Sequence, residues 1–176
     1  MIPKFFLLLL FFASGCISKE IRKPLNKSRD YFLKQSAQRN KLLLAGEQNL
    51  MTEVIEADTK KQYIPSKKGF WYYHKNKKTD DSLVPSKGDL VEFSYSIATL
   101  NGKTLYDSET LGSVSYQVDE EDILPALREG VKLMKLGEVV VFLFPSYLCY
   151  GYQGDGEKIG INQPLRFEIS LNNIVK

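Results

Sequence analysis

The apolar residues Ile123, Leu124, Leu127, Val131, Leu133 and Met134 recur at close to the i, i+4, i+7 spacing of a helix with one buried face. Pro125 falls where a first turn tolerates a missing N–H, and the acidic run 119–122 stands where negative charge suits a helix start. On both sides the period changes to two. Residues 90–97 alternate, with Val91, Phe93, Tyr95 and Ile97 on one face, and residues 165–171 alternate in the same way. Residues 139–144 are continuously apolar, as a central strand requires, and the aromatic stretch 69–74 reads as a further strand ending in a basic turn. Asn101-Gly102 is a hairpin signal that returns the chain through residues 103–106, and residues 114–118 form another short strand. One short helix among antiparallel strands predicts an α+β fold in which a curved sheet wraps that helix. Residues 145–162 read as a loop carrying four glycines.

The N-terminal third follows a different pattern. Lys4 is the only charge before residue 19, residues 5–12 are an unbroken run of Phe and Leu, and Ala13-Ser14-Gly15 leads into Cys16. A basic start, a short apolar core and a small-residue exit describe a secretory signal over residues 1–15. The Ala-Ser-Gly-Cys ending resembles the lipobox of bacterial lipoproteins, which implies lipid on Cys16. Residues 16–27 read as a polar tether. Residues 28–61 are rich in Gln, Lys and Glu, with apolar pairs at 32–33, 43–44, 50–51 and 54–55. They predict one long helix, or two broken near Gly46. The narrow stripe points to a spacer or dimerisation arm, with a client-holding arm as the alternative, and either is expected to be dispensable for the domain of residues 62–176.

Composition narrows the chemistry. A mature chain of 161 residues (176 − 15) suffices for one domain with a core plus an extension. With 24 basic and 21 acidic residues interspersed there is no large basic field, so nucleic acid is not an expected partner. If Cys16 carries lipid, Cys149 has no disulfide partner and reads as a small buried hydrophobe, with a reactive thiol as the alternative. His74, the single histidine, has no ligand at metal-binding spacing beside it. Neither a Gly-x-Ser-x-Gly elbow nor a phosphate-binding glycine pattern occurs. No cofactor and no metal are expected.

Six short patterns stand in one order: Gly88-x₆-Tyr95; Asn101-Gly102-Lys103-x-x-Tyr106-Asp107-Ser108; Ile123-Leu124-Pro125-x-Leu127-x-Glu129-Gly130-Val131; Met134-x₂-Gly137-Glu138; Pro145-x₂-Leu148-x-Tyr150-Gly151; and Leu165-x-Phe167-Glu168-Ile169-x-Leu171. Their succession resembles the FKBP-type peptidyl-prolyl cis–trans isomerases over about residues 86–176. Together with the lipobox, the helical spacer and Gly69-Phe70-Trp71-Tyr72-Tyr73, the whole is similar to the gliding-motility-associated lipoprotein isomerases of Bacteroidetes.

The resemblance implies a curved five-stranded sheet around a short helix. It implies a site in which Tyr95, Tyr106 and Asp107 form a pocket wall and Ile123 and Leu124 present a backbone N–H to the substrate carbonyl. Leu127 is the floor, where many eukaryotic members have Trp. Tyr150 reaches substrate from a flap loop, Ile159 is the flap isoleucine, and Phe167 closes the apolar back. Gly160 stands where the family usually has Pro. The implied activity is isomerisation of X–Pro bonds in exported proteins, at the cell envelope and facing the periplasm, with a membrane held through Cys16. The alternative is a non-catalytic chaperone using the same groove. Apart from the resemblance, Tyr95, Tyr106 and Phe167 could be plain core aromatics, and Asp107 before Ser108 a turn former.

Overall fold

The computed structural model describes residues 27–79 and 83–176. The signal segment, Cys16 and the tether up to residue 26 lie outside the described residues. The described residues fall into two units, divided between Ser36 and Ala37. In the first, the opening turns of a helix leave Tyr31, Phe32 and Leu33 exposed.

Helix α1 (Lys27–Ala57) is continuous. Gly46 does not break it: the position is helical, and a methyl group there would meet nothing within 4 Å. Strands β1 (Ile64–Pro65), β2 (Trp71–Asn76), β3 (Leu90–Thr99) and β4 (Thr104–Tyr106) follow. Then come helix α2 (Ser108–Leu111), β5 (Ser113–Gln117), α3 (Pro125–Val131), β6 (Val139–Phe144), a 3-10 turn (Ser146–Leu148) and β7 (Leu165–Val175).

All pairings are antiparallel, in the order β1-β2-β6-β7-β3-β4, with β5 on β3. The sheet therefore has seven strands rather than five, because β1 and β2 add to the β6 edge. β7 runs four residues beyond the expected end at 171. A bulge between Glu92 and Phe93 absorbs the break in alternation at Asn172-Asn173, so Ile174 still pairs with Val91.

One face of the sheet holds the main core. Val140, Phe142 and Phe144 from β6 meet Phe167, Ile169 and Leu171 from β7, with Val91, Phe93 and Ile97 from β3. Helix α3 lies on this face, burying Ala126, Leu127, Gly130 and Val131. Gly130 permits the approach: a Cβ there would stand 3.2 Å from Ile169 Cδ1 and 3.4 Å from Phe142 Cζ. Pro125 begins the helix as expected. The acidic run does not serve it. Glu121 accepts the Gln117 N–H at 2.9 Å, and Asp119 pairs with Lys132 at 3.0 Å.

The other face is covered by the second half of α1. Met51 is fully buried with Leu143 and Leu100, and Val54, Ile55, Tyr63 and Trp71 pack around them. Leu143 faces this way because neighbouring strand residues point to opposite faces. Glu47, one turn before Met51, is 3% exposed, and its carboxylate accepts the Ser146 N–H at 2.7 Å and the Ser146 hydroxyl at 2.6 Å. Gln48 Nε2 donates to the Gly69 carbonyl at 2.8 Å. From residue 37 onward this helix is a packed layer of the domain, where a free spacer was expected. Burying a side chain such as Met51 contributes roughly 1.5–3 kcal/mol. Among the described residues no helix is long and apolar enough to cross a membrane.

Candidate active site

A row of side chains crosses five strands in register on the core face. Tyr72 pairs with Phe142, Phe142 with Phe167, Phe167 with Ile97, and Ile97 with Tyr106. Tyr95, two residues before Ile97, stacks on Phe167 with ring centroids 6.0 Å apart and planes 9° from parallel. Phe144 meets the same Phe167 ring edge-on at 5.5 Å. Pairs of these geometries contribute about 0.5–1.5 kcal/mol beyond their burial, so the back of the row is stiff.

Into this cluster the loops deliver the remaining predicted side chains. Leu127, Ile159 and Phe167 are buried in it, and Tyr95, Tyr106, Ile123, Leu124 and Tyr150 are partly buried against it. Ile123 and Leu124 precede α3, and Leu124 turns the chain with φ −48° and ψ 125°. The Leu124 N–H donates to no acceptor among the described residues. Tyr150 follows the 3-10 turn that Glu47 anchors, and its hydroxyl likewise has no partner among the described residues. Burial, followed by the neighbouring Tyr95 and Asp155, pushes its phenol up to about 12. It therefore stays protonated, and a hydrogen-bond donor, throughout the physiological range. Burial alone raises Tyr95.

Asp107 is placed differently. It is exposed, and its Oδ1 accepts the Thr110 N–H at 2.7 Å, capping the four-residue α2. Hydrogen bonds from Thr110, aided by Lys158, hold its carboxyl below the ordinary range. Eight of the nine predicted residues thus meet in one cluster, and the ninth sits at its rim as a helix cap.

Sequence reasoning missed the carboxylate that touches this wall. Asp155 Oδ2 accepts the Tyr106 hydroxyl at 2.5 Å, while its Oδ1 accepts the N–H groups of Ile159 at 2.7 Å and Glu157 at 2.9 Å. Lys158 donates to the Leu105 carbonyl at 3.1 Å and sits 4.5 Å from the Tyr106 ring centroid. The flap is therefore fastened to β4 by a charged clasp. Gly154 makes the fold-back possible: with φ +68°, a Cβ there would lie 2.4 Å from the Ile159 carbonyl. The visible signal was Gly154-Asp155-Gly156, a carboxylate between two glycines. At Gly160 the N–H donates to Gln163 Oε1 at 2.7 Å, a bond that the family's usual proline could not make. Cys149 is buried, and burial drives its thiol far up, which suits a packing residue rather than a nucleophile.

The clasp should titrate. Burial would raise the Asp155 carboxyl, but the Tyr106 hydrogen bond and the backbone N–H groups outweigh it and bring it to about 2. A depressed carboxyl stabilises the folded state above its unfolded value near 4. That stabilisation is lost as pH falls through about 2. Tyr106 mirrors it: the Asp155 bond lifts its phenol to about 12, so the same clasp is lost only as alkali passes that point. The Ile159 amide resonance in an NMR titration is expected to move with a midpoint near pH 2. A midpoint near 4 would mean that Asp155 is not held.

Residues 82–172 match the family of FKBP-type peptidyl-prolyl cis-trans isomerases. A probable FKBP-type peptidyl-prolyl cis-trans isomerase FkpA of Neisseria meningitidis is 35% identical over 103 residues, covering 57% of this chain and 37% of that protein. The outer membrane protein MIP of Legionella longbeachae is 30% identical over 93 residues, covering 52% of this chain and 39% of that one. This chain thus spans well under half the length of either relative. The crystal structure of FkpA from Escherichia coli superimposes with a TM-score of 0.60 at 24% identity, covering 84% of this chain and 68% of that one, a likeness of fold. The matched segment runs from just before β3 into β7 and contains the register row from Phe142 to Tyr106, with only Tyr72 outside it, the helix entry and the clasped flap: the chain belongs to the FKBP-type peptidyl-prolyl cis-trans isomerase family.

Proposed function

We propose that the chain is a peptidyl-prolyl cis–trans isomerase of the cell envelope, held to a membrane through lipid on Cys16 and acting on proline-containing segments of exported proteins. The observation that carries the reading is the apolar cluster flanked by two unused donors, the Leu124 N–H and the Tyr150 hydroxyl. Rotation about X–Pro must overcome an amide-resonance barrier of about 18–20 kcal/mol. No bond is made or broken, so the reaction calls for no nucleophile, metal or cofactor. Water favours the planar, polar amide. A groove walled by Tyr95, Tyr106, Leu127, Ile159 and Phe167 removes that water and favours the less polar twisted form. The Leu124 N–H holds the substrate carbonyl, and Tyr150 holds the neighbouring peptide unit while the bond turns. Asp107 acts at the rim, through α2.

Anchoring rests on the lipobox-like run before Cys16 and agrees with the Legionella relative's being named an outer membrane protein. Cys16→Ala is expected to shift the protein from the membrane fraction to the soluble one with an unchanged circular dichroism spectrum. A variant still sedimenting with membranes would contradict the anchor. The likeness to gliding-motility lipoproteins makes motility components the first clients to examine.

The same groove could bind without turning the bond. Refolding of a protein limited by proline isomerisation distinguishes the two. An isomerase accelerates it at substoichiometric amounts, whereas a holdase changes only the yield and needs equimolar amounts.

A further inference from the structure

A groove adjoins the proposed active site. Its cavity of about 510 Å³ lies between the second half of α1 and the start of the flap, lined by Leu43, Leu44, Tyr147, Cys149, Tyr150 and Tyr152, with the amides of Asn40 and Asn162. That volume falls within the range of about 300–1,000 Å³ typical of ligand sites. Tyr150 lines it and also packs against the apolar cluster of the proposed active site, so the groove and that site share a wall.

The chemistry of the lining selects the occupant. No charged side chain lines it, in a chain that is 26% charged, which disfavours phosphate, carboxylate or cation ligands. Leu44 and Tyr152 are 39% and 76% exposed and offer apolar contact. The side-chain amides of Asn40 and Asn162 have no partner among the described residues. An amide supplies both a donor and an acceptor, which a peptide backbone requires and a lipid tail does not. An uncharged, apolar surface with free amides, continuous with a proline site, fits an extended polypeptide.

We infer that this groove is an extended subsite that takes the uncharged, apolar residues flanking the proline of a client chain. The inference rests on the isomerase reading for the position of the proline. Clients long enough to reach past Tyr150 gain affinity that short peptides do not.

Fluorescence anisotropy with the full chain tests this. The probes are a four-residue X–Pro peptide and two labelled twelve-residue peptides, each with one proline, at position 3 or position 10, and Leu, Val and Phe elsewhere in the long arm. One of the long peptides should bind about tenfold more tightly than the short one. Leu44→Asp and Tyr152→Ser, both on exposed positions, should remove that gain while leaving turnover of the short peptide unchanged. Long-peptide affinity unchanged in both variants overturns the inference. So does a change in sedimentation coefficient in either variant, which would assign the groove to a second copy of the chain. Should the wild type turn over no short peptide, the isomerase reading fails. The subsite is still judged then, by whether the two variants lose the long peptide.

Discussion

Deleting residues 27–61 is expected to collapse or severely destabilise the domain rather than leave it intact. Met51 fills the space between Leu143 and Leu100, and truncating a buried Met to Ala costs about 2–5 kcal/mol. Glu47→Ala would strand the buried Ser146 N–H and hydroxyl, at about 1–3 kcal/mol. Together these approach the whole stability of an ordinary domain, about 5–15 kcal/mol. Chemical denaturation of Met51→Ala, Glu47→Ala and the deletion checks the point. A deleted protein with an unchanged midpoint would return the helix to the status of a spacer.

Opening the clasp should cost activity more than stability. Asp155→Asn and Tyr106→Phe are each expected to lower kcat/KM about ten- to hundredfold, because each removes the bond that fastens the flap to β4. The double variant should lose little more than either single one, because both remove the same bond. Gly154→Ala should act in the same direction and more strongly, since its Cβ would collide with backbone at a positive φ. Asp107→Ala should behave differently, lowering the melting temperature as a lost helix cap with a smaller effect on turnover. Melting curves and turnover measured on the same preparations separate these outcomes. If Asp107→Ala slows catalysis more than Asp155→Asn, the roles assigned to the two carboxylates are reversed.

What could be read from the sequence was local. β6 coincides with residues 139–144 because six apolar residues in a row admit little else, and the turn at Asn101-Gly102 joins β3 to β4 with Gly102 at φ +86°. Pro125 marked the start of α3. The misses depend on partners distant in the chain. Glu47 carries no local signal, because the serine that buries it lies 99 residues on. Asp155 carries no local signal beyond its two flanking glycines, because Tyr106 stands 49 residues before it. β1 and β2 join the sheet only through the pairing of β2 with β6, which no local period announces. Whereas Tyr106, Tyr150 and Ile159 were named only by the family resemblance, Tyr95, Phe167, Ile123, Leu124 and Leu127 were legible because strand alternation and helix spacing put them on apolar faces. The polar member that fastens the flap was not.

Catalysis of X–Pro rotation is proposed for the site bounded by Leu124, Tyr150 and Phe167. Its most direct test is NMR exchange spectroscopy on a short X–Pro peptide with a catalytic amount of the full chain. Uncatalysed exchange takes tens to hundreds of seconds at 25 °C. With the folded chain present, cross-peaks between cis and trans forms are expected to build up within about a second or less. Tyr150→Phe is expected to slow the exchange at an unchanged melting temperature. An exchange rate equal to that of the peptide alone, from a protein shown to be folded, would contradict catalysis at this site.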